Sequence, residues 1–125
     1  MQLIDNLLRL INITDSENGF VAELETNPSC LIYKAHFPGN PITPGVCIIQ
    51  AAGELLERKI NRKIWLKTVK NVKFLMVLIP EEGKKIRYNF SNLVEEENGC
   101  KVQVTVNYDT TVYAKISLIF SYERL

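Results

Sequence analysis

One long helical segment, residues 46–60, constrains the fold of this chain more than any other feature. Thr43 is suited to cap it, and Pro44 fits the first helical position, where a missing N–H costs nothing. Apolar residues cover almost every face of its first three turns: Val46, Cys47, Ile48, Ile49, Ala51, Ala52, Leu55 and Leu56, with Ile60 further on. A helix at the surface of a globular protein carries a single apolar stripe. We therefore expect other structure to wrap around this helix.

The rest of the chain carries strand patterns. Period-two alternation and apolar runs predict strands at 8–14, 20–26, 64–79, 84–93, 101–108 and 112–122. Segment 74–79 is expected to be a central strand, whereas residues 27–43, with three of the five prolines, are expected to form an extended loop. One buried helix with five or six antiparallel strands predicts an α+β domain, spanning 1–125, in which the sheet curls around the helix.

Composition excludes several classes of function. The 125 residues include 15 Lys and Arg against 14 Asp and Glu, and a net charge of +1 is too small for general nucleic-acid binding. No apolar run approaches the ~20 residues of a membrane helix, so we expect no membrane association. The single histidine and three dispersed cysteines, Cys30, Cys47 and Cys100, predict reduced thiols and no metal centre. These features favour a cytoplasmic protein.

The most informative segment is residues 36–46, with the sequence HFPGNPITPGV. It places the only imidazole of the chain in a rigid loop directly before the helix, because Pro38, Pro41 and Pro44 each fix φ. Gly45 lies in the first helical turn, where N–H groups lack an intrahelical partner and attract negative charge or a polarised carbonyl. The segment resembles the HFPGxPxxPGV motif of the β-hydroxyacyl-acyl-carrier-protein dehydratases of hotdog fold.

The resemblance implies a hotdog fold, a dimer and an acyl tunnel between its two subunits. His36 matches the catalytic imidazole of the family, and Gly45 matches the glycine whose amide polarises the thioester carbonyl. Phe37, Pro44 and Val46 are expected to contact the substrate. The implied substrate is a 3-hydroxyacyl thioester carried on acyl carrier protein or coenzyme A.

Position 50 departs from the family, because Gln50 stands where the resemblance implies a catalytic Glu or Asp. A carboxamide holds a hydroxyl or a water by hydrogen bonds but does not transfer a proton at neutral pH. Losing one acid–base partner typically costs ~10²–10⁴ in rate. Glu54 lies four residues further on the same helical face and keeps a carboxylate one turn deeper. Either Glu54 supplies the displaced acid, or it is a solvent-facing or interface residue.

Three functions are open at this point. The first is a dehydratase with His36 as the base, Gly45 as the carbonyl donor, and Gln50 with Glu54 on the hydroxyl side. It needs no cofactor, because eliminating water moves only protons. The second is a weakened hotdog subunit that binds acyl thioesters and takes its carboxylate from a different hotdog partner rather than from the second copy of a homodimer. The third is a thioesterase, for which Gln50 is a poor base.

The basic stretch 58–73 is either a solvated face or a docking surface for an acidic acyl carrier protein.

Overall fold

The computed structural model describes residues 2–35 and 39–124. Within these ranges the elements follow in the order β1 (Leu8–Ser16), β2 (Gly19–Thr26), α1 (Leu31–Ala35), α2 (Gly45–Ile60), β3 (Trp65–Phe74), β4 (Lys85–Glu95), β5 (Gly99–Tyr108) and β6 (Thr111–Ser121). Five of the predicted strands are found with ends within two residues of the prediction, and the strand at 64–79 is shorter than predicted. Neither helix in these ranges has the length and hydropathy that a membrane span requires.

The six strands form one sheet in the order β1-β2-β4-β5-β6-β3, and every neighbouring pair is antiparallel. β4, β5 and β6 form an antiparallel meander, whereas β3 crosses over to pair with the outer side of β6. Asn18 and Asp109 adopt positive φ angles of 62° and 50° in the tight turns that join β1 to β2 and β5 to β6. β1 and β3 are therefore the two edges of the sheet.

Helix α2 packs on the inner face of the curled sheet. Its buried residues Ile48, Ala51, Ala52, Leu55 and Leu56 belong to the same core as alternating residues of β2, β4, β5 and β6. The hydroxyl of the fully buried Tyr88 donates a 3.0 Å hydrogen bond to the carbonyl oxygen of Ile48, which fixes the helix to β4. This arrangement confirms the predicted α+β class, with an antiparallel sheet curled around one long helix.

Two local predictions before α2 are wrong. The helix is capped by Pro44 without a side-chain hydrogen bond, and not by Thr43. The Thr43 hydroxyl lies 2.8 Å from the Tyr33 hydroxyl, so this buried pair satisfies both groups and removes Thr43 from the capping position. The predicted loop 27–43 contains the short helix α1, which begins after Asn27 O accepts the Cys30 N–H at 3.1 Å.

Helix α2 is not wrapped on all faces within the described chain. Val46 is 75% exposed and Gln50 is exposed, while Ile49 and Gly53 are half-buried. The buried face accounts for one side of the helix, and the apolar residues on the opposite side lie open. An apolar surface of this kind marks a site where a ligand or another chain binds.

The prediction of a central strand at 74–79 is also wrong. Of these residues, only Phe74 belongs to β3. The regular ladder ends after it, because the N–H groups of Leu75 and Met76 both donate hydrogen bonds to Tyr113 O, at 2.8 and 3.4 Å. β3 itself is an edge strand, with nine of its ten residues exposed. Leu78 is buried at 1% exposure, but Leu75, Met76, Val77 and Ile79 are 45–57% exposed. Here a run of apolar residues marks an uncovered surface and not the centre of the sheet.

Candidate functional site

A groove of about 470 Å³ runs between the open face of α2 and strand β3. Its lining is mostly apolar: Val46, Ile49, Gly53, Ile64, Leu66, Val69 and Phe120. The polar side chains along the helix side of the groove are Gln50, Glu54 and Glu57, and Lys63 stands at one end. Apolar walls with a few placed polar groups are typical of sites for small organic ligands.

Gln50 and Glu54 are in direct contact on this helix face. The Gln50 Nε2 donates a 2.9 Å hydrogen bond to Glu54 Oε2, as their i, i+4 spacing allows. This contact orients the carboxamide, since its NH₂ end is directed at Glu54. The sequence prediction that both residues share one face of the helix is therefore correct.

Glu54 also holds the N-terminal turn of the chain. Its Oε1 accepts the backbone N–H groups of Leu3 and Ile4, each at 2.9 Å, and its Oε2 accepts Leu3 N at 2.9 Å. The side chains of Leu3 and Ile4 are 2% and 1% exposed, so the turn is packed into the core. No sequence pattern indicated this contact, because the partners are about 50 residues apart and two of the groups are backbone amides.

The start of α2 forms a second depression, of about 360 Å³, with the segment after β3. Pro44 O accepts hydrogen bonds from Cys47 N at 3.0 Å and Ile48 N at 3.2 Å, so the Gly45 N–H precedes the first intrahelical donors. A Cβ on Gly45 would lie 2.6 Å from Cζ of Phe74. Only glycine allows the Phe74 ring to pack this closely on the first turn.

The structure places some of the predicted site residues and not others. Gln50, Glu54 and Val46 line the groove, and Gly45 lines the adjoining depression. Pro44 is half-buried at the helix cap. His36 and Phe37 lie outside the described residues, so their predicted roles stay predictions.

Burial suppresses ionisation of the thiol and phenol near the helix start. Desolvation raises the pKa of Cys47, and the nearby Cys30 raises it further. Desolvation likewise raises the pKa of Tyr33. Cys47 therefore packs as a neutral thiol, although it stands in the first turn of a helix, where a thiolate is often stabilised.

The basic stretch 58–73 divides into two parts. Residues on α2 and in the following turn make ion pairs: Lys59 with Asp15 at 2.7 Å, Arg58 with Asp5 at 3.5 Å and Lys63 with Glu57 at 3.8 Å. The lysines of β3 are exposed on the sheet edge. Most of the helical part is thus a solvated, paired surface.

The comparison with protein-family models gives a match over residues 12–117 to the ApeI-like family, described as ApeI dehydratase. The chain belongs to the ApeI-like dehydratase family. It is also 30% identical over 95 residues to the 3-hydroxyacyl-(acyl-carrier-protein) dehydratase FabZ of Clostridium acetobutylicum, covering 70% of this chain and 67% of that protein. The FabZ of Latilactobacillus sakei subsp. sakei is 28% identical over 128 residues, covering 95% of this chain and 87% of that protein.

Among solved structures, the dehydratase heterocomplex ApeI:P of Xenorhabdus doucetiae superposes with a TM-score of 0.69 at 16% identity, covering 91% of this chain and 97% of that chain. This member of the ApeI-like family therefore has the hotdog fold that the motif at 36–46 implied. It is a dehydratase-like protein of the 3-hydroxyacyl type.

Proposed function

We propose that this protein eliminates water from 3-hydroxyacyl thioesters carried on acyl carrier protein or coenzyme A. The observation that carries the proposal is the groove beside α2, in which Gln50 and Glu54 are polar groups in an otherwise largely apolar lining next to the Gly45 helix start. An apolar groove accommodates an acyl chain, and a helix N-terminus stabilises charge on a thioester oxygen. Membership of a dehydratase family supports the same reaction.

The reaction requires one base and one proton donor. We propose that His36 removes a proton from the carbon next to the thioester carbonyl, while the Gly45 N–H stabilises the negative charge on the carbonyl oxygen. The electron pair of that C–H bond forms the double bond, and the C3–O bond breaks. The imidazolium then gives this proton to the leaving hydroxyl, which departs as water; if a carboxylic acid protonates the hydroxyl instead, the imidazolium afterwards returns its proton to that carboxylate, so atoms and charge balance in both cases.

Gln50 and Glu54 share the hydroxyl side of this proposed site. We propose that Gln50, whose Nε2 donates to Glu54, holds the substrate 3-hydroxyl by hydrogen bonding. Glu54 is a positioning residue in this account. Within the described residues, each hydrogen bond of Glu54 uses its carboxylate as the acceptor. The alternative is that Glu54 is the displaced acid. Replacement of Glu54 by Gln distinguishes the two roles.

We further propose that a second hotdog subunit completes the site along β3. The groove is open on this side, and Leu66, Val69 and Phe74 of β3 are 39–49% exposed. A subunit placed here would cover these side chains and close the groove into a tunnel. The expected homodimer and a mixed pair with a different hotdog chain both satisfy this requirement.

A second candidate function follows from Gln50. Within the described residues, Glu54 is the carboxylate nearest along the helix to position 50, and it is engaged with the N-terminal turn. The catalytic acid would then come from a different subunit, and this chain alone would be weakly active. The similarity to a chain of the ApeI:P heterocomplex supports this candidate.

One assay separates the candidates. The purified chain is incubated with a 3-hydroxyacyl carrier-protein thioester, and the products are followed by mass spectrometry. Formation of the enoyl thioester that is lost in His36→Ala supports the dehydratase. Release of the free acid would identify a thioesterase instead, and turnover only after a partner hotdog chain is added would identify the dependent subunit.

The proposed location and carrier have separate support. The three cysteines are free, which fits the predicted reduced environment of the cytoplasm.

Acidic carrier proteins would be attracted by the exposed lysines near the groove. Turnover of a carrier-protein thioester should therefore fall with ionic strength more steeply than turnover of a coenzyme A thioester.

A further inference from the structure

Gly53 is the glycine of this chain that neither the backbone nor the packing requires. A Cβ at this position would lie 3.4 Å from Cε1 and 3.7 Å from Cζ of Phe120, which is ordinary van der Waals contact, and its φ is not positive. Each of the other glycines has a geometric reason: Gly39 and Gly83 have positive φ, and a Cβ on Gly19, Gly45 or Gly99 would overlap with Phe90 O, the Phe74 ring or Phe120 O. Gly53 therefore needs an explanation outside the fold.

Glycine is also unfavourable for the helix at this position. Residue 53 lies in the middle of α2, about two turns from either end. Inside a helix, glycine is less favourable than any residue except proline, because it loses the most backbone freedom on folding. Alanine would fit in its place. A glycine in such a position points to a packing or a functional reason, and the packing does not supply one.

Gly53 lies on the face of α2 that lines the groove. Val46, Ile49, Gln50, Gly53 and Glu57 all line it, and their spacing of i, i+3, i+4, i+7 and i+11 places them in one stripe along the helix. Position 53 is the member of this stripe without a side chain. The groove therefore has a notch there, bounded by the Gly53 backbone and the ring of Phe120, which also lines the groove.

The notch separates the proposed reaction centre from the far end of the groove. Gln50 is about one turn before Gly53, and Gly45 lies about 12 Å before it along the helix axis. Glu57 and Ile64 line the groove beyond the notch. An acyl chain whose thioester lies at Gly45 must therefore pass the notch to reach the far end.

We propose that Gly53 determines the length of the acyl chain that this protein accepts. Without a side chain at position 53 the groove is continuous, and the preferred substrates are 3-hydroxyacyl thioesters whose chains extend past the notch. A larger side chain would have the Phe120 ring against its Cβ and would project into the groove. This inference rests on the proposed function, and it names the substrate class of that site.

Binding of saturated acyl thioesters tests this role without requiring turnover. Butanoyl, octanoyl and dodecanoyl coenzyme A lack the 3-hydroxyl and do not undergo dehydration, and isothermal titration calorimetry measures their dissociation constants. Each methylene buried in an apolar groove is worth about 4-fold in affinity. We expect wild type to bind dodecanoyl coenzyme A at least ~10-fold more tightly than butanoyl coenzyme A, and Gly53→Leu to lose this preference.

Three further variants define the cause. Gly53→Ala should reduce the preference less than Gly53→Leu does, because it adds only one methyl group. Phe120→Ala combined with Gly53→Leu makes room for the new side chain and should restore the preference for the longer chain. Ser91→Leu adds the same side chain at an exposed position of β4 outside the groove, and it should keep the wild-type preference.

Each preference is a ratio measured on one preparation, so a loss of folded protein cancels from it. The proposal is overturned if wild type shows no length preference, if Gly53→Leu keeps it, if Ser91→Leu reduces it as much, or if a folded Gly53→Leu/Phe120→Ala variant does not recover it. The expected length preference without formation of an enoyl thioester would contradict the proposed dehydration alone. A protein that binds no acyl thioester would contradict both.

Discussion

The Gln50 Nε2 lies 2.9 Å from Glu54 Oε2, and the same carboxylate accepts the backbone N–H groups of Leu3 and Ile4. One side chain thus connects the candidate site to the N-terminal turn. Its position, half-buried on α2, gives it groove contact on one side and core contact on the other. This relationship yields the first four predictions.

Replacing Gln50 alone should create a conflict that a second replacement relieves. Gln50→Glu puts two carboxylates where one N–H···O bond stood, and we expect a loss of about 1–3 kcal/mol in the free energy of unfolding. The pair Gln50→Glu/Glu54→Gln restores one donor and one acceptor and should recover most of this loss. Urea unfolding of the four members of the cycle measures the coupling.

The same pair of replacements bears on activity. The double variant places a carboxylate at position 50, where the hotdog dehydratases are expected to carry their acid, and dehydration should rise by about 10²-fold or more over wild type. If the effects of the two replacements on the free energy of unfolding are additive, the two side chains do not interact. If the dehydration rate of the double variant equals that of wild type, position 50 is not where the acid acts.

Glu54→Ala should release the N-terminal turn. The buried N–H groups of Leu3 and Ile4 would lose their acceptor, at a cost of about 2–4 kcal/mol in unfolding free energy. Amide hydrogen exchange at residues 3 and 4 should accelerate more than exchange in β5. Glu97→Ala, at the exposed hairpin tip, is the matched control and should change stability by less than about 0.5 kcal/mol.

Glu54→Gln separates positioning from acid chemistry. If Glu54 were the displaced acid, this variant would abolish dehydration. If it orients Gln50, activity should fall only moderately, since the amide oxygen still accepts a hydrogen bond. An activity loss as complete as that of His36→Ala would contradict the positioning role.

Gly45→Ala should be harmful, whereas Gly53→Ala should not. The new Cβ at position 45 would lie 2.6 Å from Phe74 Cζ, and we expect a loss of about 1–3 kcal/mol in stability as the ring is displaced. At position 53 the nearest atom, Cε1 of Phe120, is 3.4 Å away, so alanine gains its helix propensity of up to about 1 kcal/mol. Thermal unfolding measures both, and Phe74→Ala should rescue Gly45→Ala if the clash is the cause.

Stability should fall in alkaline solution. Burial raises the pKa of Cys47 and of Tyr33 above their ordinary values of 9.0 and 10.0. The folded chain therefore keeps these protons to a higher pH than the unfolded chain does. The contribution of these two protonated groups to the free energy of unfolding is fully present below pH 9. It is lost as the pH rises through the ordinary pKa values toward the raised pKa values of the folded chain. Urea midpoints between pH 7 and 10.5 should decline, and Cys47→Ala with Tyr33→Phe should flatten the decline. A midpoint that stays constant in wild type would contradict this.

The strands and the main helix were predictable because their signals are local. Alternation placed β2 and β4–β6 within two residues of their observed ends, and the apolar periodicity found α2. The helix cap was not predictable, since the Thr43 hydroxyl is taken by Tyr33 from an earlier helix. The Glu54 anchor was missed for the same reason: its partners are distant backbone amides.

Segment 74–79 shows a different limit. Its six apolar residues predict a buried central strand if all apolar surface is covered by the same chain. In the structure most of them are exposed beside the depression at the start of α2. A single sequence does not distinguish residues that face their own core from residues that face a second subunit, and the open face of α2 at Val46 was misjudged for the same reason.

In the proposed reaction, His36 moves the hydrogen next to the thioester while water leaves from C3. Run in reverse, the reaction hydrates an enoyl thioester, so it can be followed in ¹⁸O water and in deuterated water. This role of His36 predicts ¹⁸O at C3 and deuterium at C2, both lost in His36→Ala and both retained in Lys34→Ala. Label appearing instead in a released carboxylate, or hydration that persists in His36→Ala, would contradict it.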